Sequence, residues 1–267
     1  MDLGFKGKSV LITGGGSNIG RGIVLAFAAE GARIVIADID KAQAEATAEL
    51  ARKQHGVEVT VVPTDVSQLD QAERMAAEAE RVYGGIDVLV NNAGWERPSY
   101  FSEQQPDYWS RIIAVNLMGT IHCTKAVVER MVKRGKGDGG GAIVCISSDA
   151  SFGEKRNTVY GAAKGGVNTF AKAIAKEFGR YNIRCNVVAP GVVVPASAAD
   201  VGRDSLWAEE GAVFSQAQLE TSRKAVPLGK LGTAADIAHA VLFFASDKMA
   251  SHVSGQVISV SGGYATP

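Results

Sequence analysis

The chain has 267 residues, 46% hydrophobic and 21% charged, which suits one large α/β domain or two small ones with a sizeable core. Lysine plus arginine (28) balances aspartate plus glutamate (28), so the formal charge is zero and nothing pulls the chain towards nucleic acid or an anionic membrane. The apolar run at 241–245 is too short to cross a bilayer, and the first residues lack the basic start and apolar stretch of a signal peptide.

Strand-like and helical patterns alternate along the chain. Residues 9–13 read as a short buried strand, and Ile19, Ile23, Val24, Phe27 and Ala28 then recur at helical spacing. A second strand at 33–37 precedes an alanine-rich helix at about 41–54. A strand at 58–62, a helix at about 70–83 and a strand at 87–90 continue the pattern. A long helical region follows Pro106, then come a strand at 142–146, a helix around Tyr160 and a strand at 183–188. A helix at about 236–245 leads to a last strand at 256–260. Seven short apolar strands separated by helices predict repeated βαβ units, hence a doubly wound parallel seven-stranded sheet with helices on both faces, in one domain over 1–267. The glycine-rich stretch 135–141 reads as a solvated loop. The strand-free stretch at about 195–226 sits after the sixth strand, where ligands bind in such sheets, and reads as a substrate lid or else a surface excursion.

Cys123, Cys145 and Cys185 are odd in number and lie in apolar contexts, as buried free thiols do in a reducing, cytoplasmic setting. His55, His122, His239 and His252 share no ligand spacing, and no metal site is expected.

Tyr160 and Lys164 stand four residues apart, on one helix face with about 5–6 Å between Cβ atoms. An ammonium there favours phenolate over phenol, lowering a pKa ordinarily near about 10, and such a tyrosine can exchange a proton with an alcohol. The first strand runs through Thr13-Gly14-Gly15-Gly16-Ser17-Asn18-Ile19-Gly20 into a helix, a turn in which backbone N–H groups meet a pyrophosphate. Asp38 ends the second strand about twenty residues on, where a carboxylate accepts from ribose hydroxyls and repels a 2′-phosphate, or else caps the following helix. The ribose reading favours NAD over NADP.

With Asp65-Val66, Asn91-Asn92-Ala93-Gly94, Asn116, Ser147-Ser148 and Pro190-Gly191 in order, the chain resembles the short-chain dehydrogenase/reductase family from about Lys6 to Gly263. That resemblance implies a Rossmann-type fold and an NAD cofactor held by Gly14, Ser17, Asn18, Ile19, Asp38, Asp65, Val66, Asn92, Ala93, Gly94, Tyr160, Lys164, Pro190, Gly191 and Val193. It implies Tyr160 as acid/base, Lys164 lowering its pKa, Ser148 bonding the substrate oxygen, with Ser147 as the alternative, and Asn116 placing a water beside Lys164. A homotetramer or homodimer built through the helices around Asn116 and Tyr160 follows from the same resemblance. Two departures stand out. Asn18 replaces the usual glycine or alanine, and Pro195 replaces a threonine that contacts the carboxamide, leaving that contact to the Val193 backbone or the lid.

Trp95, Phe152 and Trp207, with Val192 and Val193, suggest an apolar pocket shared with Ser148 and Tyr160. The combination is similar to family members acting on alicyclic hydroxyacyl-CoA thioesters, with Arg97, Lys155 and Arg156 placed either to meet CoA phosphates or as solvated charge. The expected activity is therefore NAD-dependent interconversion of a secondary alcohol and a ketone, on an alicyclic or β-hydroxyacyl-CoA thioester. A free cyclic alcohol is the second reading, and a non-catalytic nucleotide-binding subunit the third.

Overall fold

The computed structural model describes residues 2–134, 140–202, 205, 207–208 and 215–266. The seven apolar runs form strands β1 (Ser9–Thr13), β2 (Arg33–Asp38), β3 (Val59–Pro63), β4 (Val88–Asn91), β5 (Gly141–Ile146), β6 (Ile183–Pro190) and β7 (Val257–Val260). Helices α1 (Asn18–Ala29), α2 (Lys41–His55), α3 (Leu69–Tyr83), α4 (Pro106–Ile112), α5 (Gly119–Lys133), α6 (Thr158–Phe178), α7 (Gln216–Ala225), α8 (Ala234–Ala245) and α9 (Asp247–Ala250) fill the gaps. All strands pair in parallel, in the order β3-β2-β1-β4-β5-β6-β7.

Period-two alternation in the strands sends side chains to opposite faces. Val10, Ile12, Ile34, Ile36, Val90 and Val144 pack with α1, α2 and α8 on one face. Leu11, Val35, Leu89, Ile143, Cys145 and Cys185 pack with α3, α5 and α6 on the other. Both faces are covered, which is why the strands are apolar throughout. The three cysteines are buried and free. His122 Nδ1 sits 3.1 Å from the Val66 carbonyl, a structural contact.

The long helical region after Pro106 is continuous to Lys133, but at Ile113–Met118 it widens into a π-helical turn containing Asn116. By length and apolarity this helix matches a bilayer span, although half of its most apolar window is buried against the fold. Arg184, near the start of β6, donates to the Phe244 and Ala245 carbonyls at the end of α8 and to Asp247, 2.8 Å away. A buried guanidinium thus satisfies carbonyls that a helix end leaves without partners.

The expected loop at 135–141 lies outside the described residues up to Gly139. In the expected lid, residues 203, 204, 206 and 209–214 lie outside them too. The described remainder includes a short turn at Ala198–Asp200 and α7. It meets the first βα turn: Arg21 pairs with Asp200 at 3.3 Å, and Gly202 N donates to Ser17 Oγ at 3.1 Å.

Candidate active site

Strand order reverses between β1 and β4, and a cleft of about 450 Å³ opens beyond their carboxyl ends. That is where open parallel sheets take ligands, because flanking helices diverge there. Its walls include Gly14, Ser17, Asn18, Ile19, Asp38, Asp65, Val66, Asn92, Ala93 and Gly94. Trp95, Ser147, Ser148, Tyr160, Lys164, Pro190, Gly191, Val192, Val193 and Trp207 complete the predicted set. Two predicted residues stand apart. Phe152 is 39% exposed and Asn116 is fully buried, and neither lines the cleft.

At the β1 end, the turn is closed so tightly that side chains are excluded. A Cβ on Gly20 would lie 1.9 Å from the Gly14 carbonyl oxygen, and Gly14 itself has φ +66°. Asn92 Nδ2 donates to the Thr13 and Gly14 carbonyls at 3.0 and 2.8 Å, and Thr13 Oγ1 accepts from Asn92 N and Ala93 N. The ends of β1 and β4 are therefore fastened together. Asn18 takes a left-handed conformation (φ 37°), as an asparagine can where glycine is usual.

The Asn18 side chain reaches across to donate to the Val193 carbonyl at 3.3 Å. Val192 O and Val194 N both bond Gly232, which turns the Val193 peptide groups the other way, towards Asn18. Asp38 accepts from Gly16 N at 2.8 Å and Asp40 N at 2.9 Å, and burial raises its carboxyl above the usual range despite both bonds. The cap of α2 is Asp40, whose side chain accepts from Ala42 N and Gln43 N, so Asp38 is not the capping residue. Asp65 Oδ1 accepts from Ser67 N and Oγ, shaping the loop after β3.

At the other end, α6 presents Tyr160 and Lys164 from successive turns. Lys164 is buried and its Nζ donates to the Ile146 carbonyl at 2.8 Å, 5.6 Å from the centre of the Tyr160 ring. Ser148 favours the Tyr160 phenolate, while the Ser147 Oγ donates instead to the Lys164 backbone carbonyl at 3.1 Å. Of the two serines, Ser148 is the one placed against the tyrosine. Ser148 Oγ also lies 3.2 Å from Asp149 Oδ1 and accepts from Ala150 N.

The electrostatics correct one expectation. Lys164 does not pull the Tyr160 phenol down on its own: burial and the charge of Glu96 and Asp149 hold it above the ordinary tyrosine range, and the Ser148 bond offsets only part. Burial depresses Lys164 itself to about 8, opposed by Cys145 and Glu96. Asp149 is pushed up to about 6 by burial.

Asn116 has a second task, in its side chain. Its Oδ1 accepts from Trp95 N at 3.3 Å, and its Nδ2 donates to the Trp95 and Ile112 carbonyls at 2.8 and 3.0 Å. Both amide hydrogens and one acceptor site of the oxygen are thus used to hold the Trp95 peptide and the π turn.

Of the two alternatives for Arg97, Lys155 and Arg156, the geometry favours charge outside the cleft. Arg156 donates to the Pro98 carbonyl at 3.0 Å and lies over the Tyr100 ring, bracketing two loops, and neither it, Arg97 nor Lys155 lines the cleft. Arg111, from α4, does line it, with its guanidinium 3.9 Å from the centre of the Trp95 ring. Glu96 and Tyr108 were missed as well. Glu96 lines the cleft at 8% exposure, and Tyr108 Oη lies 3.0 Å from its Oε1. Only the place of Glu96 just after Asn91-Asn92-Ala93-Gly94 could have drawn attention to it.

A family model described as enoyl-(acyl carrier protein) reductase matches residues 14–265. A 3-oxoacyl-[acyl-carrier-protein] reductase FabG of Thermotoga maritima is 36% identical over 261 residues, covering 97% of this chain and 98% of that protein. The (2S)-[(R)-hydroxy(phenyl)methyl]succinyl-CoA dehydrogenase subunit BbsD of Thauera aromatica is 37% identical over 262 residues, with 98% of each covered. A putative short-chain alcohol dehydrogenase from Sinorhizobium meliloti superposes with a TM-score of 0.87 at 28% identity, covering 99% of this chain and 98% of that one. The chain belongs to the short-chain dehydrogenase/reductase family, oxidoreductases of CH–OH groups that use a nicotinamide cofactor.

Proposed function

We propose that this protein is an NAD-dependent dehydrogenase interconverting a secondary alcohol and a ketone on an alicyclic or β-hydroxyacyl-CoA thioester. The observation that carries the reading is the meeting of Tyr160, Ser148 and Lys164 in the cleft whose other end holds the Asp38 carboxylate.

The residues fit a dinucleotide. The glycine turn and the start of α1 would take the pyrophosphate, Asp38 the adenosine ribose, and Asp65 and Val66 the adenine. Lys164 and the Val193 backbone would hold the nicotinamide end. When bound, the cofactor supplies the hydride acceptor and, in its oxidised form, a positive charge. Tyr160 exchanges the hydroxyl proton, and because its own surroundings hold it as the phenol, it is poised first as the acid. Ser148 donates to the substrate oxygen as charge develops there. Lys164 keeps the ring of Tyr160 under a cationic field and fixes the end of β5 through the Ile146 carbonyl.

Support for a thioester comes from the names of two relatives, an acyl-carrier-protein reductase and a succinyl-CoA dehydrogenase subunit. Arg111 over Trp95 adds a cation beside an apolar wall, suited to a phosphate or carboxylate next to a ring. The same reading takes the stretch at about 195–226 as the substrate lid, the three buried thiols as those of a cytoplasmic protein, and the chain as a homotetramer formed through the helices around Asn116 and Tyr160.

Initial rates on hydroxyacyl-CoA thioesters and free cyclic alcohols, each with NAD and NADP, test the substrate and cofactor. Thioester turnover with NAD supports the proposal, and turnover of free alcohols alone moves it to the second reading. Tyr160→Phe should lower kcat at least about 100-fold while NAD binding persists. Unchanged turnover in that variant would overturn the mechanism.

A further inference from the structure

Glu96 and Tyr108 form a unit that the proposed reaction does not yet use. Glu96 follows Trp95 on the loop after β4, and Tyr108 lies on α4, twelve residues on. The Glu96 side chain is 8% exposed, and its Oε2 is buried with no hydrogen-bond partner among the described residues. Its Oε1 lies 3.0 Å from Tyr108 Oη, which in turn lies 2.9 Å from the Arg97 carbonyl oxygen.

Counting protons settles the direction of these bonds. A phenol has one hydrogen to donate, a peptide carbonyl has none, and an ionised carboxylate has none. With Glu96 ionised, one phenolic hydrogen would face two acceptors, and a charged oxygen would be buried without a partner, at a cost of the kind folded proteins avoid. With Glu96 protonated, each contact is satisfied. The carboxyl O–H donates to Tyr108 Oη, Tyr108 donates to the Arg97 carbonyl, and the orphan Oε2 becomes a neutral carbonyl oxygen.

We propose that Glu96 is held as a neutral carboxylic acid hydrogen-bonded to Tyr108, and that this pair is a positioning element that sets the protonation of Tyr160 and Lys164. The inference rests on the reading of Tyr160 as the proton-exchanging group. Tyr108 from α4 contacts Glu96, Tyr160 and Lys164 from α6 line the same cleft, and these groups with the Arg97 backbone amide act on its charge. Arg111 is one residue layer away, stacked on Trp95, which itself tilts against Tyr108 with ring centres 5.6 Å apart.

Burial favours the same neutral form as the proton count. Burial is the largest influence on Glu96 and pushes it up to about 7, against the Arg97 amide and Lys164, which favour the carboxylate. In its ionised form Glu96 holds the proton on Tyr160 and strengthens the charge on Lys164. Around neutrality the pair therefore changes state. With Glu96 neutral, Tyr160 ionises more readily, and as tyrosinate it can take the alcohol proton in oxidation; with Glu96 ionised, Tyr160 keeps the proton that it gives to the carbonyl oxygen in reduction.

Two measurements decide the point without any substrate. In protein labelled with ¹³C at the glutamate side-chain carboxyl, the resonance lost in Glu96→Gln should titrate near about 7, apart from ordinary glutamates near about 4.3. Titration with the ordinary group overturns the proposal. Tyr108→Phe fixes the direction of the bond. Removal of an acceptor from the neutral acid lowers the Glu96 titration point, whereas removal of a donor to a carboxylate raises it, and a rise overturns the proposal.

The kinetic arm reads the effect on Tyr160. In alcohol oxidation, Glu96→Gln should move the rise of kcat with pH to lower pH by roughly half a unit or more, because the charge that holds the Tyr160 proton is gone. Superimposable profiles would refute the coupling. A side chain that only packs would change kcat or stability without moving the profile, and Glu96→Asp should restore the wild-type midpoint at least in part. If no alcohol or ketone is turned over, the proposed activity is what has failed, and the carboxyl titrations still decide whether Glu96 is a neutral acid.

Discussion

Replacement of Asp38 by asparagine separates the carboxylate's part in the turn from its part in cofactor choice. In the structure both oxygens accept backbone N–H groups, from Gly16 at 2.8 Å and Asp40 at 2.9 Å. An asparagine offers one acceptor and one NH2, so either orientation turns a donor towards a backbone donor. An unsatisfied buried N–H costs about 1–3 kcal/mol. Part of that is offset because asparagine carries no charge to bury, and burial is the main influence on Asp38. The net loss should be near about 1 kcal/mol, or a few degrees in Tm for a chain of this size. The effect on NAD should be larger. Hydrogen bonds from ribose hydroxyls to a charged acceptor contribute about 1.5–3 kcal/mol, so NAD affinity should fall roughly 10- to 100-fold. NADP should weaken less, or improve, because the repulsion of its 2′-phosphate is removed. Fluorescence titration with NADH and NADPH, beside thermal melts of both proteins, reads the three quantities. Parallel loss of both cofactors would mean that Asp38 acts only through the turn, and the ribose reading would be wrong.

Gly94→Ala would put a Cβ 2.9 Å from Asn116 Oδ1 and 3.5 Å from Lys164 Nζ, and turnover should fall roughly 10- to 100-fold as the Trp95 clamp and the lysine shift. Steady-state kinetics on folded protein checks this, and a kcat within twofold of wild type would show that the clamp is dispensable. Arg184→Met removes the donors to Phe244 O, Ala245 O and Asp247, and should lower stability by about 2–4 kcal/mol while leaving kcat per folded molecule unchanged. Urea unfolding measures the loss, and a loss below about 1 kcal/mol would mean that water replaces the guanidinium.

The elements of this fold were legible because their signals are local. Short apolar runs bounded by glycine and helix-starting residues place β1 at Ser9–Thr13, and the other strands to within two residues. The spacing of Tyr160 and Lys164 put both on one helix, and the glycine turn and Asp38 marked the ends of β1 and β2. Asn18 was expected to accept a left-handed backbone, and it does so at φ 37°. Its reach across to the Val193 carbonyl could not be read, because the two lie 175 residues apart.

The same limit explains the corrections. Phe152 and Arg156 follow Ser148 closely, but a 3₁₀ turn and a left-handed residue at Arg156 aim them away from the cleft. Arg111, far away in sequence, is brought in by the packing of α4 against Trp95. Whether Lys164 or burial governs Tyr160 depends on how much carboxylate the fold gathers around the phenol, and Glu96 and Asp149 arrive there from different loops.

Sequence alone determined the βαβ alternation, the doubly wound sheet, the cofactor turn and the pairing of Tyr160 with Lys164, because each is encoded in neighbours along the chain. Only the tertiary structure decided which serine acts on Tyr160, what Asn116 holds, and that Glu96 and Tyr108 meet beside them. Those are contacts between residues that meet only when strands and helices close on one another, and burial there sets electrostatics that no spacing reveals.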